Sequence, residues 1–457
     1  MANVASNGVF PLPLGVFERF MLETDTPRYP STFLLRWTFS GSMDRQAFEE
    51  SLAEAHQRHP LLHAVVRRGR RQGTRFEYLE EARPRLSWGP WDAPLDLPEQ
   101  GERIHPASEP GVRIWVRQDS SQSAVTYAFH HTFVDGVGAS RYIGDLMALY
   151  AARMGEPGPA AALATLSPKG LLKREYHMKF GVAGDATSLS GPALLNWTSR
   201  LFGTSAARLA SPSKAGCRTR LSPFPGMYTV RLDPQQREAV RRAARAQGVF
   251  TNDLCLAALF FTLGRWNRRH GARMLDAPIR LALPLDMRGR DDDALSAANV
   301  VSIAFLDRSA KQCRSVRELL AGVRLETIRI RNTAVGSEFI QAVSLADMMK
   351  GWLGVLARGV RSLATAVLSN TGDVTRRLSA VFPKRDGKLV VGNLLLEGTD
   401  GMAPLWRGTR AAFGISAYQK QISISLRCDP WRFTPAATES LLGEYVEALV
   451  QIAADCR

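Results

Sequence analysis

The chain has 457 residues, 45% of them hydrophobic and 22% charged, a composition that fits folded domains with sizeable cores and excludes disorder as the dominant state. At about 100–200 residues per domain, the length predicts two or three domains. Lys and Arg total 59 against 43 Asp and Glu, a formal charge of +16, which favours an anionic partner such as a phosphorylated cofactor, an acidic carrier protein or an anionic membrane.

The segment MDRQAFEESLAEAHQRHPLLHAVVRR (43–68) has helical periodicity from just after Ser40-Gly41-Ser42 to about Arg58 and stops at His59-Pro60. Two strand-like pieces, LLHAVVRR and RFEYLEE, follow around GRRQG, and the Pro- and Trp-rich RLSWGPWDAPLDLPEQGE reads as a loop. GVRIWVRQ (111–118) and SAVTYAFHH (123–131) read as neighbouring strands. GVGASRYIGDLMALYAARMG then reads as a helix, stopped by Gly155, Pro157, Gly158 and Pro159.

Residues 156–222 are irregular and read as a crossover between two halves. The second half reopens with a strand at 227–232 and helices at 234–248 and 251–269. Strands PIRLALPLDMRGR and NVVSIAFLD come next, then helices at about 314–331 and 338–366. LVVGNLLLEG, TRAAFGISAYQKQISISLRCD and a helix from Ala436 to Asp455 close the chain. The resulting division is 1–165, a crossover at 166–222, and 223–457. The apolar stretch 339–370 carries Lys350, Arg358 and Arg361. It reads either as a core helix with a basic edge or as a surface for peripheral membrane contact or a fatty chain.

The five cysteines, Cys217, Cys255, Cys313, Cys428 and Cys456, are scattered and form no CxxC, which argues against a disulfide framework and for a reducing compartment. No zinc-finger spacing or RNP-like aromatic pair supports nucleic acid as a partner. The N-terminus MANVASNGVFPLPLGVFERF lacks a basic segment followed by an unbroken apolar run. Apolar stretches elsewhere are broken by Arg, Lys or Asp before about 18 residues. Neither a secretory signal nor a spanning helix is expected, and the reading places the chain in the cytoplasm.

The chemistry concentrates at VTYAFHHTFVDGVG (125–138). A strand stops at His130 and His131, and a helix follows, so both sit on a strand-to-helix loop, where ligands collect in α/β proteins. Imidazole serves as a general base near neutral pH. Successive strand residues alternate faces, which assigns His131 to a cleft and His130 to packing. Asp135 suits a structural role, paired with an arginine. Gly136 and Gly138 allow a tight turn and close approach of backbone to a ligand. HxxxD with no third ligand is a weak metal pattern, so no metal is expected. The sequence has no GxSxG, and its cysteines lack a nucleophile signature. Direct attack by a bound hydroxyl or amine, deprotonated by His131, fits the inventory.

HHTFVDG resembles the HHxxxDG signature of the acyltransferase superfamily that includes nonribosomal-peptide condensation domains, wax-ester and diacylglycerol synthases, polyketide-associated acyltransferases and chloramphenicol acetyltransferase. His130, His131, Asp135 and Gly136 stand in the matching positions. HQRHPLLHAVVRR resembles an early segment in which Arg58 holds a position that pairs with the motif aspartate in some members. LALPLDMRGR resembles the segment that supplies that arginine in others, here Arg288 with Arg290 nearby. TNDLCLAALFFTLGRW, LSNTGDV (368–374) and SAYQKQISISLRCDP resemble further elements of the second half. The chain lacks the DFGWG element of plant-type members and the proline of the SN-x-PG element of wax-ester synthases. No adenylation or carrier segment is recognised in these 457 residues, so a protein acting in trans on a separate carrier is expected rather than a module cut from an assembly line.

The resemblance implies an α/β protein of two chloramphenicol-acetyltransferase-like lobes, with mixed sheets flanked by helices and an active-site channel between them. It implies no permanently bound cofactor. Acyl-CoA or a phosphopantetheinyl thioester enters as donor, and a small-molecule or lipid-like hydroxyl enters as acceptor, with His131 as base and an ester as product. Asn370, Gly372 and the backbone at Gly136 are candidates for the oxyanion or the cleft. Either Arg58 or Arg288 partners Asp135. An amide-forming condensation enzyme, served by an acidic acyl or peptidyl carrier protein, is the alternative. So is a condensation-like binding protein without catalysis.

Overall fold

The structure, a computed structural model, describes residues 8–69, 73–96, 103–176, 178, 203–212, 228–271, 276–332, 335–349, 351–359, 362–373, 375–376, 378–419 and 421–455, without the side chains of Arg290, Asp291 and Val335. It divides into two units that interleave in sequence. Unit 1 is Met1–Met178, Asp286–Val301 and Thr371–Gly401; unit 2 is Lys179–Leu285, Ser302–Asn370 and Met402–Arg457. This corrects the contiguous division at 165 and 223. Segments 286–301 and 371–401 leave the second half because their partners lie far back in the chain, which local periodicity does not encode. The crossover read at 166–222 lies largely outside the described residues; its described start, Pro168–Lys173, belongs to unit 1.

Unit 1 is built on a seven-stranded sheet with the order Lys384–Arg385, Lys388–Val391, Leu394–Met402, Thr32–Ser40, Gln122–His130, Val112–Gln118 and Arg85–Pro90. Thr32–Ser40 runs antiparallel to Gln122–His130, with Thr32 opposite His130. Arg85–Pro90 pairs parallel with Val112–Gln118, so the sheet is mixed. That strand lies inside the stretch read as a loop. Its Gly89-Pro90 ending masked the signal, and Pro is tolerated at a sheet edge.

Gln122–His130 is buried on both faces from Ser123 onward, as its run of Val, Thr, Tyr, Ala and Phe requires of a strand covered on both sides. The helix Arg45–Arg58 begins where Asp44 Oδ1 accepts the Ala47 amide at 2.7 Å and packs against the helix Gly136–Arg153.

Unit 2 holds a six-stranded sheet in the order Val301–Arg308, Ile279–Asp286, Ala366–Asp373, Ala411–Tyr418, Gln421–Cys428 and Tyr228–Arg231. Ala366–Asp373 and Ile279–Asp286 are parallel, whereas Ala411–Tyr418 and Gln421–Cys428 form an antiparallel pair. The helices Pro234–Ala246, Thr251–Arg269 and Pro435–Asp455 pack together, and Leu254, Leu259, Phe413, Leu426 and Leu449 meet in one core. The single helix expected at 338–366 is two, Val335–Met348 and Trp352–Arg358. They are separated at Gly351, whose φ of 85° is left-handed, and the β-branched and apolar residues after Thr365 begin a strand instead.

Among the described residues no single helix is long and apolar enough to cross a membrane. The pair Pro234–Ala246 and Thr251–Arg269 meets that test only together, across a bend of 103°, and the second helix is largely buried in unit 2.

Candidate active site

The strand Gln122–His130 ends at a set of backbone bonds that turn the chain. The His130 amide donates to Gly111 O at 2.9 Å, the His131 amide to Ser31 O at 2.7 Å, and the Phe133 amide back to His130 O at 3.0 Å. His130 is fully buried. Its Nδ1 accepts the Thr132 amide at 3.1 Å, and its Nε2 faces Asp25 Oδ1 at 3.6 Å. Burial raises the Asp25 carboxyl, but His130, Arg103 and the Ser31 amide outweigh it and hold the group at about 2. His130 is thus a structural tie between the strand end and the segment around Asp25.

Asp135 caps the next helix. Its Oδ1 accepts the Gly138 amide at 2.8 Å and Arg288 Nη2 at 3.0 Å. Its Oδ2 accepts Arg288 Nη1 at 3.0 Å and the Val300 amide at 2.6 Å. A carboxylate offers about four acceptor sites, and all are taken, so Asp135 has none left to orient an imidazole. Arg288 in turn donates to Ala298 O at 3.0 Å and to Asp286 Oδ1 at 2.9 Å. Burial works against its charge, but Asp135 and Asp286 prevail and its pKa is raised.

The choice left open in the sequence therefore falls on Arg288. Arg58 is not a partner of Asp135: its Nε donates to Asp145 Oδ2 at 2.8 Å, and its Nη2 to Ala164 O at 2.9 Å. A residue at the end of one helix reaches the flank of the helix it packs on, and Asp145 lies there. Arg290 opens a short turn, Arg290–Ala294, and its side chain is outside the described residues.

Sequence reading missed Asn299. It is buried, its Nδ2 donates to the main-chain oxygen of His131, and its Oδ1 meets no hydrogen-bond partner. Its neighbours act alike. The Ala297 amide donates to His59 Nδ1 at 2.9 Å, the Ala298 oxygen accepts from Arg288, and the Val300 amide serves Asp135. Segment 297–300 thus forms a second wall for the motif loop. The only sequence signal was one asparagine inside an otherwise apolar run.

His131 itself is half-buried. Its ring lies 5.1 Å from Phe33 and 6.3 Å from Phe17, centroid to centroid. Nδ1 is enclosed and has no hydrogen-bond partner, which leaves Nε2 as the nitrogen able to exchange protons. Burial lowers the His131 pKa, Asp135 pulls it up and His130 adds to the lowering, with burial prevailing. The imidazole is therefore neutral at pH 7 and competent as a base.

Gly138 comes so close to Ala298 that a Cβ would stand 2.7 Å from its main-chain oxygen, whereas a Cβ on Gly136 would meet nothing within 4 Å. The close approach expected of these glycines is to the protein's own backbone at Gly138, and Gly136 borders open space. The described cysteines Cys255, Cys313 and Cys428 are buried. Burial pushes the first two thiols up to about 12 and raises the third as well, so none is a ready nucleophile. Among the described residues no three metal-ligating side chains cluster.

No family model matches the chain, and no curated protein matches it by sequence. Solved structures do match. The X-domain from teicoplanin biosynthesis aligns with a TM-score of 0.66 and 18% identity, covering 98% of this chain and 96% of that one. A starter condensation domain of rhizomide synthetase, solved with C8-CoA, gives 0.67 and 15% over 97% and 95%. The trichothecene 15-O-acetyltransferase from Fusarium sporotrichioides gives 0.71 and 14% over 96% and 94%. The chain has the condensation-domain fold. At 14–18% identity the likeness concerns the fold alone. Two mixed α/β lobes flanked by helices are what that fold consists of, and both are present.

Within the condensation-domain fold, His130, His131, Asp135, Gly136 and Arg288 all come together in unit 1. Asn370 belongs to unit 2, where its exposed side chain donates to Asn252 Oδ1 at 2.8 Å. Gly372 belongs to unit 1 and has a left-handed φ of 59°.

Proposed function

We propose that this chain is an acyl-transfer enzyme in which His131 is the general base. The observation that carries the reading is a half-buried, neutral imidazole on a loop pinned by the buried Asp135–Arg288 pair. The donor is a thioester, either acyl-CoA or a phosphopantetheinyl arm, and the charge of +16 suits phosphates or an acidic carrier. A neighbour solved with C8-CoA supports this donor class.

The acceptor's N–H or O–H gives its proton to His131 as its lone pair attacks the thioester carbonyl. Charge builds on that oxygen, and the candidate donor for it is the backbone at Gly136, which borders open space. Collapse breaks the C–S bond, and the departing thiolate takes the proton from His131. No enzyme-bound acyl intermediate forms.

An amine acceptor, and so an amide product, is the reading favoured by the starter condensation domain and by the first condensation domain of the CDA synthetase among the similar structures. A hydroxyl acceptor, small-molecule or lipid-like, is the second reading, favoured by the 15-O-acetyltransferase. A binding module without turnover is the third, because the teicoplanin X-domain was solved as a complex with OxyB.

The test incubates the chain with acyl-CoAs and acyl-carrier thioesters plus amines and alcohols, following thiol release and product mass, with His131→Ala alongside. Acceptor-dependent thiol release that is lost in the variant supports the reading, and the product mass names the acceptor. Equal turnover in both proteins sinks the base assignment. Carrier binding with no turnover across the panel moves the chain to the third reading.

A further inference from the structure

Of the ten large apolar side chains exposed among the described residues, seven fall between 325 and 355 of unit 2. Singly scattered exposures are ordinary; a concentration of them marks an interaction surface. The helices Val316–Asn332, Val335–Met348 and Trp352–Arg358 pack in succession. Phe339, Ile340, Val343 and Leu353 are buried. Leu345 and Met348 on the second helix and Trp352 and Val355 on the third are exposed, with Met349 between the two helices, at positions where a helix on a protein surface ordinarily carries charge. Met348 is 82% exposed, Val355 62% and Trp352 57%, and the first helix adds Leu325 at 72%.

We infer that this stripe seats the protein on an anionic lipid surface. Arg324, Arg331 and Arg358 occupy exposed positions on the same helices. The nearby carboxylates are largely answered from within, Glu326 by Arg308 at 3.0 Å and Glu338 by Arg329 at 3.6 Å. Arg331 lies over the ring of the exposed Phe250, 3.6 Å from its centroid. Arginine stems cover apolar surface while their heads reach polar groups. Trp and Met beside Arg therefore match a bilayer interface, with acyl chains below and phosphates above. Free phosphate would leave the apolar stripe unused. A second copy would bring a charge of +16 against +16.

The test is co-sedimentation of the full chain with vesicles of phosphatidylcholine alone and of equal parts phosphatidylcholine and phosphatidylglycerol. Wild type is expected to pellet with the mixed vesicles. Partition falls by about tenfold or more on phosphatidylcholine alone, or when Met348→Glu and Trp352→Glu are combined. Leu172→Glu, at an exposed position of unit 1, changes nothing. The wild-type comparison of the two vesicles stands even if the double variant folds poorly. No pelleting with mixed vesicles, or equal pelleting with both, overturns the inference. So does a lipid-free dimer in analytical ultracentrifugation that the double variant dissociates, because the stripe then belongs to a second copy.

Discussion

Two of the Asp–Arg pairs in unit 1, Asp145–Arg58 and Asp135–Arg288, each have a histidine close by, and the two histidines are left in different conditions. At the first pair, Asp145 accepts from Arg58 at 2.8 Å and faces His59 Nε2 at 3.3 Å, while His59 Nδ1 accepts the Ala297 amide at 2.9 Å. Nδ1 of His59 is thus taken, Nε2 faces only the Asp145 carboxylate without meeting it in a hydrogen bond, and the residue is fully buried. At the second pair, Asp135 spends all its acceptor sites on Arg288 and two backbone amides, and the His131 ring packs on Phe33 and Phe17 with no hydrogen bond at Nδ1. The same residue types thus give a structural node in one place and, in the proposed function, the base in the other. The difference lies in where the carboxylate's lone pairs go.

Exchanging the two histidines' roles by mutation is the strongest way to break this comparison. His131→Ala is expected to lower acyl transfer by about 10²–10⁴-fold with little change in melting temperature. His59→Ala is expected to do the reverse, losing stability by a few kcal/mol through a cavity and a buried carboxylate short of one partner. Turnover and thermal unfolding measured on both proteins decide it. Asp135→Ala comes next. It leaves the Arg288 guanidinium buried without its main counter-charge, and about 3–5 kcal/mol of stability should be lost in chemical denaturation.

A pH series separates the two kinds of histidine further. His56 and His63 stack with ring centroids 3.9 Å apart, and their nitrogens have no hydrogen-bond partners. Burial, with Arg83 adding to it, lowers His63 from 6.5 to about 4. Burial also holds His56 well below the ordinary value, with His63, His59 and Arg83 in support. The unfolded chain protonates His63 below pH 6.5 and the folded one does not until about 4. Stability is therefore intact above 6.5 and falls as pH drops through that window, by about 3 kcal/mol for His63 alone. His63→Phe should flatten this loss. It should leave the acid limb of the rate profile, set by His131, where it was.

Smaller effects sharpen the picture of the loop. Asn299→Ala removes the hold on the His131 carbonyl, and about a tenfold fall in kcat with a nearly unchanged donor KM is expected. An unchanged kcat would confine Asn299 to stability. Gly136→Ala should shift stability by no more than about 0.5 kcal/mol, since its Cβ meets nothing. Gly138→Ala should cost about 1–3 kcal/mol against the Ala298 backbone.

Much of unit 1's chemistry was readable because it is local. The strand that stops at His130, the helix begun by Asp135 and the glycines between them lie within fourteen residues, 125–138. Composition and periodicity likewise predicted most helices and strands of both units. Where the reading failed, local signals pulled against distant partners. Arg85–Pro90 became a strand only by pairing with Val112–Gln118, and the apolar run after Met348 hid a glycine break and the start of a strand.

By itself the sequence determined the motif, its residue types and the two arginines able to answer Asp135. Tertiary structure decided between them, because hydrogen bonds to Arg288 reach across 153 positions and those of Arg58 to Asp145 across 87. It also brought Asn299 onto the His131 carbonyl across 168 positions. Periodicity records which face of an element is buried; it does not record what that face is buried against.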